Sequence, residues 1–249
     1  MIFKKFKADT GSRPVRFNSL LCGRPHWGAC CKYNATSGYK MITANLFFED
    51  ENSAYLIKFG QKEYLEQIRE GHLRFSELSC FSSHKKQTAI FDKYEGIKYI
   101  KHLKNGRIEF SRIKEEIFIS CFSYFTKQDI VNNRIFSPAI LKERKWEYIL
   151  FIFETEKFRN NIETALSNYR RASNTIKYLD YTKDQNSLTV FNKSNEYAFE
   201  KEFRFVFYPN ENLFFQKKSQ RVMNVNFEKV EGVIMPTAEF ASCFSVIKN

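Results

Sequence analysis

Hydrophobic positions along the chain switch repeatedly between a two-residue and a three-to-four-residue spacing. Ala54-Tyr-Leu-Ile-Lys-Phe59 reads as a strand that stops at Gly60. Tyr64, Leu65 and Ile68 then fall on one helical face across 62–70, and Gly71 is a stop signal. The pattern predicts a strand over 73–81, an Asn105-Gly106 turn, and a strand over 107–113. A hydrophobic run over 117–125 reads as a central strand, and 146–153 as another. Phe158, Ile162, Ala165, Leu166 and Tyr169 predict the longest helix, over 155–172. Strands follow over 175–181, 203–208, 221–227 and 232–235. Strands interspersed with two or three helices predict an α+β fold around a mixed, largely antiparallel sheet.

Composition adds an asymmetry. The chain has 249 residues and a net charge of +12. Residues 1–40 hold eight Lys and Arg against Asp9 alone, with Gly and Pro scattered through them and no sustained period. They read as an irregular basic arm ahead of a catalytic domain over 41–249. An excess of positive charge draws polyanions, and nucleic acid, RNA or DNA, is the expected partner. An acidic partner protein is the alternative. Aromatics make up 17% of the chain, which favours a sheet and offers rings for stacking.

No apolar run approaches the roughly 18 residues of a membrane span, and no signal-peptide core follows the first lysines. The expectation is a cytoplasmic protein without a membrane partner. The six scattered cysteines read as reduced thiols. Cys22, His26, Cys30 and Cys31 have the atom types for zinc but not a zinc-finger spacing, so no metal site is assigned. Dinucleotide, P-loop, nucleophile-elbow and HExxH motifs are absent from the sequence.

The segment that can carry chemistry is 191–207. As a strand it places Glu200, Glu202 and Arg204 on one face, and Lys201, Phe203, Phe205 and Phe207 on the other. Two carboxylates this close ionise together only if Arg204 compensates. Such pairs serve reactions at a sugar anomeric carbon, where positive charge develops. A solvated face with an ordinary ion pair is the plainer reading of the same pattern.

The run Lys193-x3-Tyr197-x2-Glu200-x-Glu202-x-Arg204 resembles the signature of a poorly characterised family of small bacterial proteins. Within 54–240, Asp92-Lys-Tyr-Glu-Gly96 and Ile119-Ser-Cys-Phe-Ser123 match its acidic turn and middle strand. The same ordered pieces are similar to bacterial ADP-ribosyltransferases, including toxins and phage-defence effectors. That resemblance implies an ADP-ribosyltransferase-like fold, NAD as substrate, and a nucleic-acid or protein acceptor. It also implies silencing by an antitoxin. Glu202 would hold the nicotinamide ribose and stabilise the developing charge, Glu200 would orient or deprotonate the acceptor, and Ser120 would support the carboxylate, beside Arg204. NAD contacts would come from Lys58, Phe59, Phe75, Ser76, Tyr94 and Ser123, with Phe75 or Tyr94 stacking on nicotinamide. Taken on their own, Phe59 and Phe75 read as core residues and the serines as satisfied hydroxyls. Two competing readings are a non-enzymatic nucleic-acid-binding module and a metal-dependent nuclease built on Asp92, Glu95, Glu200 and Glu202.

Overall fold

A computed structural model describes residues 30–33, 40–43, 54–82, 92–126, 128–129, 147–152, 154–209 and 221–240. For the first two stretches only the course of the backbone is described. There β1 (Cys30–Tyr33) pairs antiparallel with β2 (Lys40–Thr43). The rest of the basic arm, with Cys22, His26 and Trp27, lies outside the described residues.

The chain continues through β3 (Ala54–Gly60), α1 (Lys62–Arg69), β4 (His72–Glu77), α2 (Ser79–Ser82), β5 (Ile97–His102), β6 (Ile108–Arg112) and β7 (Phe118–Thr126). It goes on through β8 (Tyr148–Ile152), α3 (Thr155–Ala165), β9 (Arg170–Thr175), β10 (Lys177–Leu179) and β11 (Asn192–Ser194). A 3-10 helix (Asn195–Glu200), β12 (Glu202–Tyr208), β13 (Val222–Asn226) and β14 (Gly232–Pro236) complete it. Among the described residues, eight strands form one sheet in the order β13-β4-β7-β3-β8-β14, with β12 on the other edge of β7 and β9 beyond it. Every pairing in that sheet is antiparallel. The fold is α+β, with a largely antiparallel sheet and few helices.

Period-two alternation divides the sheet into two chemically different faces. Phe118 and Phe122 of β7, Phe205 and Phe207 of β12, and Leu73 and Phe75 of β4 share one face. Leu65 and Ile68 of α1 and Phe158 and Ile162 of α3 cover it. These side chains are at most 1% exposed, and each such burial contributes about 1.5–3 kcal/mol. Ile119 and Val206 look the other way, under Leu78 and Val190. That second face receives the turn at 92–96 and the segment 176–200, and it carries the polar centre described below.

Where the chain departs from its local pattern, tertiary pairing wins. The long helix was expected to reach 172. It ends at Ala165 because β12 has a second edge to satisfy, and Arg170–Thr175 pairs with it. β9 is exposed along almost all its length, so it has no hydrophobic alternation to announce it. β5 was not expected. It exists as the partner of β6 across a loop closed by Leu103 N–H to Arg107 O at 2.8 Å, with Gly106 at φ 77°.

β7 is forked on one edge. Its Ser123–Thr126 half pairs with β3, while Ile119 and Phe118 pair with β4. Cys121 falls between the two and pairs with neither strand. β3, β7 and β12 are thus consecutive strands of one sheet.

Candidate active centre

The 3-10 helix closes on Glu200, and Lys201 adopts a left-handed conformation at φ 44° that turns the chain into β12. Glu200 therefore precedes the strand instead of continuing its face, which corrects the expected row of three. Glu202 and Arg204 do share a face, and Phe203, Phe205 and Phe207 take the opposite one. Lys201 does not join the phenylalanines; it pairs with Asp129.

Neither carboxylate is solvated. Glu200, Glu202 and Arg204 are 3%, 2% and 1% exposed. Burying such charges is unfavourable unless each has partners, and each has. The Lys193 ammonium donates to Glu200 Oε2 at 2.5 Å and to Glu202 Oε2 at 3.2 Å. Arg204 Nε donates to Glu202 Oε1 at 2.5 Å. Its Nη1 and Nη2 grip Glu95 Oε1 and Oε2 at 2.8 and 2.7 Å, and Nη1 also reaches the Val190 carbonyl at 2.6 Å. This planar fork is a use of Arg that Lys could not serve. The backbone N–H of Glu202 donates to the Tyr178 hydroxyl at 2.9 Å.

Burial works against ionisation of Glu202, but Arg204 and Lys193 outweigh it and hold the carboxyl well below the usual range. Burial likewise opposes the charges of Lys193 and Arg204. Glu202 and Glu200 overcome it for the first, and Glu202 and Glu95 for the second. Asp92 behaves differently. Burial and then the nearby Glu95 push its carboxyl up to about 6. Its Oδ1 accepts the Tyr94 N–H at 2.8 Å. Burial and Asp92 raise the Tyr197 hydroxyl to about 12. Four carboxyl groups here meet two buried cations, so acid outnumbers base.

The other candidates divide by sheet face. Ser123 is opposite Glu202 on β7, and Cys121 is opposite Arg204. Burial, then Glu202, pushes the Cys121 thiol up, so it stays protonated. Ser120 is opposite Phe205 and faces the helix-covered core. Its buried hydroxyl has no hydrogen-bond partner, which removes it as a support for Glu202 and also as a satisfied core hydroxyl. Phe75 is in the same core, its ring 5.1 Å from Phe207, and so is not placed to stack on a ligand. Lys58 also approaches from that face. It donates to the Cys121 carbonyl at 2.5 Å, inside the fork of β7, and lies 4.7 Å from the Phe122 ring centre. Phe59 is buried against β8, beyond the part of β3 that pairs with β7. Ser76, half-buried, is opposite Ile119 on the face of Glu202. Tyr94 lies beside Asp92 and Glu95, half-buried, 5.6 Å from Tyr181 in an edge-to-face contact, with the Lys93 ammonium 4.5 Å from its ring centre.

Lys193, Tyr178 and Cys121 had no assigned role in this centre from sequence, and Glu95 was a candidate only as a metal ligand, not as the partner of Arg204. Lys193 was in view as part of the signature run. Glu95 is 109 residues from Arg204, and no local pattern joins them. For the nuclease alternative, the carboxylates of Glu95, Glu200 and Glu202 point at Arg204 and Lys193. Among the described residues no group of three or more His, Cys, Asp or Glu is arranged to hold a metal ion. Nor is any described helix long and apolar enough to cross a membrane.

Compared with known proteins, the chain matches no family model, no curated protein and no solved structure.

Proposed function

We propose that the protein is an ADP-ribosyltransferase-like enzyme that takes ADP-ribose from NAD and transfers it to a nucleic-acid acceptor. The observation that carries this reading is the charge balance around Glu202. The ionised Glu202 carboxylate and three further buried carboxyl groups, Asp92, Glu95 and Glu200, meet two buried cations, Lys193 and Arg204. A preorganised negative field of this kind stabilises positive charge that develops elsewhere in the site. In the proposed reaction the bond between the ribose anomeric carbon and the nicotinamide nitrogen breaks, and its electron pair leaves with nicotinamide. Positive charge builds on the ribose until the acceptor forms the new bond at that carbon and gives up its proton. Glu202 is the group that stabilises the charge, and Glu200 takes the acceptor's proton.

Support also comes from strand order. Ser123 and Glu202 stand opposite each other on β7 and β12, neighbours in one sheet, with Glu200 just ahead of β12. Lys58 of β3, on the far side of β7, lies on the other face and is not part of the reading. Ser123 is the serine on the carboxylate face, so it replaces Ser120 in the reading. Tyr94, half-buried beside Asp92, is the aromatic on this side of the sheet assigned to nicotinamide, and Phe75 is not. The fold in this proposal is that of the ADP-ribosyltransferases, and the biological setting is a bacterial toxin or defence effector.

The test uses purified protein, labelled NAD, and RNA, DNA or cell protein as acceptor. Wild type should transfer label to nucleic acid. Glu202→Gln should stop transfer while melting as a folded protein. No NAD consumption with any acceptor, or equal labelling by Glu202→Gln, would refute the assignment.

A further inference from the structure

We propose that the β5–β6 hairpin is the surface on which a single-stranded nucleic acid docks; as the acceptor's binding site, this rests on the function proposed above. Most large apolar side chains of the described chain are buried, but Tyr99, Ile108 and Phe110 are 38%, 43% and 47% exposed, and all three lie on this ribbon. Ile108 and Phe110, opposite His102 and Ile100, share one face, with the Arg112 guanidinium 5.6 Å from the Phe110 ring centre, and Tyr99, opposite Ser111, takes the other. Lys98, Lys101, Lys104 and Arg107 are exposed on the same sixteen-residue span, 97–112, against Glu109 as its one acid. Exposed rings interleaved with cations can stack bases and neutralise phosphates together. An apolar protein partner would favour a surface depleted of lysine. In a duplex the base faces are already stacked, so the rings favour a single strand.

The hairpin is also fixed to the centre. Arg112 of β6 donates from Nη1 to the Glu95 carbonyl at 2.5 Å and from Nη2 to the Lys93 carbonyl at 2.6 Å. Glu95 in turn holds Arg204. β5 is bound along its other side to the 185–188 segment, through Ile100 N–H to Gln185 O at 2.8 Å and Leu188 N–H to Lys98 O at 2.8 Å. Among the described residues no strand pairs with the outer edge of β6. A strand lying on this ribbon is therefore held beside the turn that carries Asp92 and Glu95.

Binding is measured without NAD, by fluorescence anisotropy of the full chain with a labelled, unstructured 20-nucleotide RNA over a salt series. The double variant Tyr99→Ala/Phe110→Ala removes the ring from each face, so a strand on either face loses one stacking platform, and binding should weaken about tenfold with the salt slope unchanged. The variant Lys98→Ala/Lys101→Ala/Lys104→Ala/Arg107→Ala should reduce the slope of log K against log salt by about 3. All six positions are exposed, and circular dichroism checks that each variant is folded. Unchanged affinity and slope in both variants would place binding elsewhere, in the basic N-terminal residues for example, and overturn the inference. Duplex bound as tightly as single strand, with no effect of the aromatic variant, would overturn it too. RNA binding that depends on the hairpin in a protein that never consumes NAD would sink the proposed enzyme and leave the docking surface standing.

Discussion

Replacing Arg204 with Met tests whether the buried centre is charged in solution as drawn. The methionine fills similar volume but removes all the donors that Arg204 gives to Glu95, Glu202 and Val190. Glu202 keeps Lys193, and Glu95 loses both of its guanidinium contacts. Breaking a buried ion pair on one side costs about 3–5 kcal/mol, because the abandoned charge stays desolvated. A domain of this size shifts its melting temperature by about 2–4 °C per kcal/mol, so the variant should melt about 6–20 °C lower. Thermal unfolding followed by circular dichroism at pH 7 reads this directly. Lys157→Met, at a half-exposed pair with Glu154, is the control and should show no resolvable change. The pH dependence has a definite sign. The folded pKa of Glu202 is depressed, so its ion pairs stabilise above its ordinary value of 4.5 and are lost as pH falls through the folded value. Wild type and variant should therefore converge in acid. An Arg204→Met protein that melts within about 3 °C of wild type at pH 7 would refute the argument.

Asp92→Asn should be increasingly more stable than wild type as pH rises from about 4 to about 6. The folded carboxyl titrates near 6 against 3.8 unfolded, so wild type loses about 3 kcal/mol across that window and the amide does not; melting curves against pH check this. Ser120→Ala should be neutral or stabilising by about 1 kcal/mol, because it removes a buried hydroxyl that has no partner. It should also leave NAD turnover unchanged, and a large loss of turnover would show that Ser120 acts at the centre after all.

The parts of the structure that were legible in the sequence are those where local pattern and tertiary demand agree. Tyr64, Leu65 and Ile68 set α1, and the Phe203–Phe207 alternation set which face of β12 enters the core. The paired carboxylates and Arg204 were visible for the same reason. What stayed hidden depends on contacts distant in sequence. β9 has a polar, exposed sequence and becomes a strand only because β12 offers an edge. Glu95 looks like a turn residue until the fold brings Arg204 to it. Ser120 and Ser123 are three apart on one strand, so they must face opposite ways, yet only the pairing with Phe205 and Glu202 says which faces which.

The division of β12 into charged and aromatic halves also bears on how the chain finds its fold. A one-residue slip against β7 would push Glu202 and Arg204 among the phenylalanines under α3, and carry Phe203 and Phe205 to Glu95 and Lys193. Each misplaced ion would then forfeit several kcal/mol of solvation without a partner. A strand of uniform hydrophobicity would tolerate that slip far better. The ion cluster therefore disfavours every odd-numbered misalignment of β12 against β7.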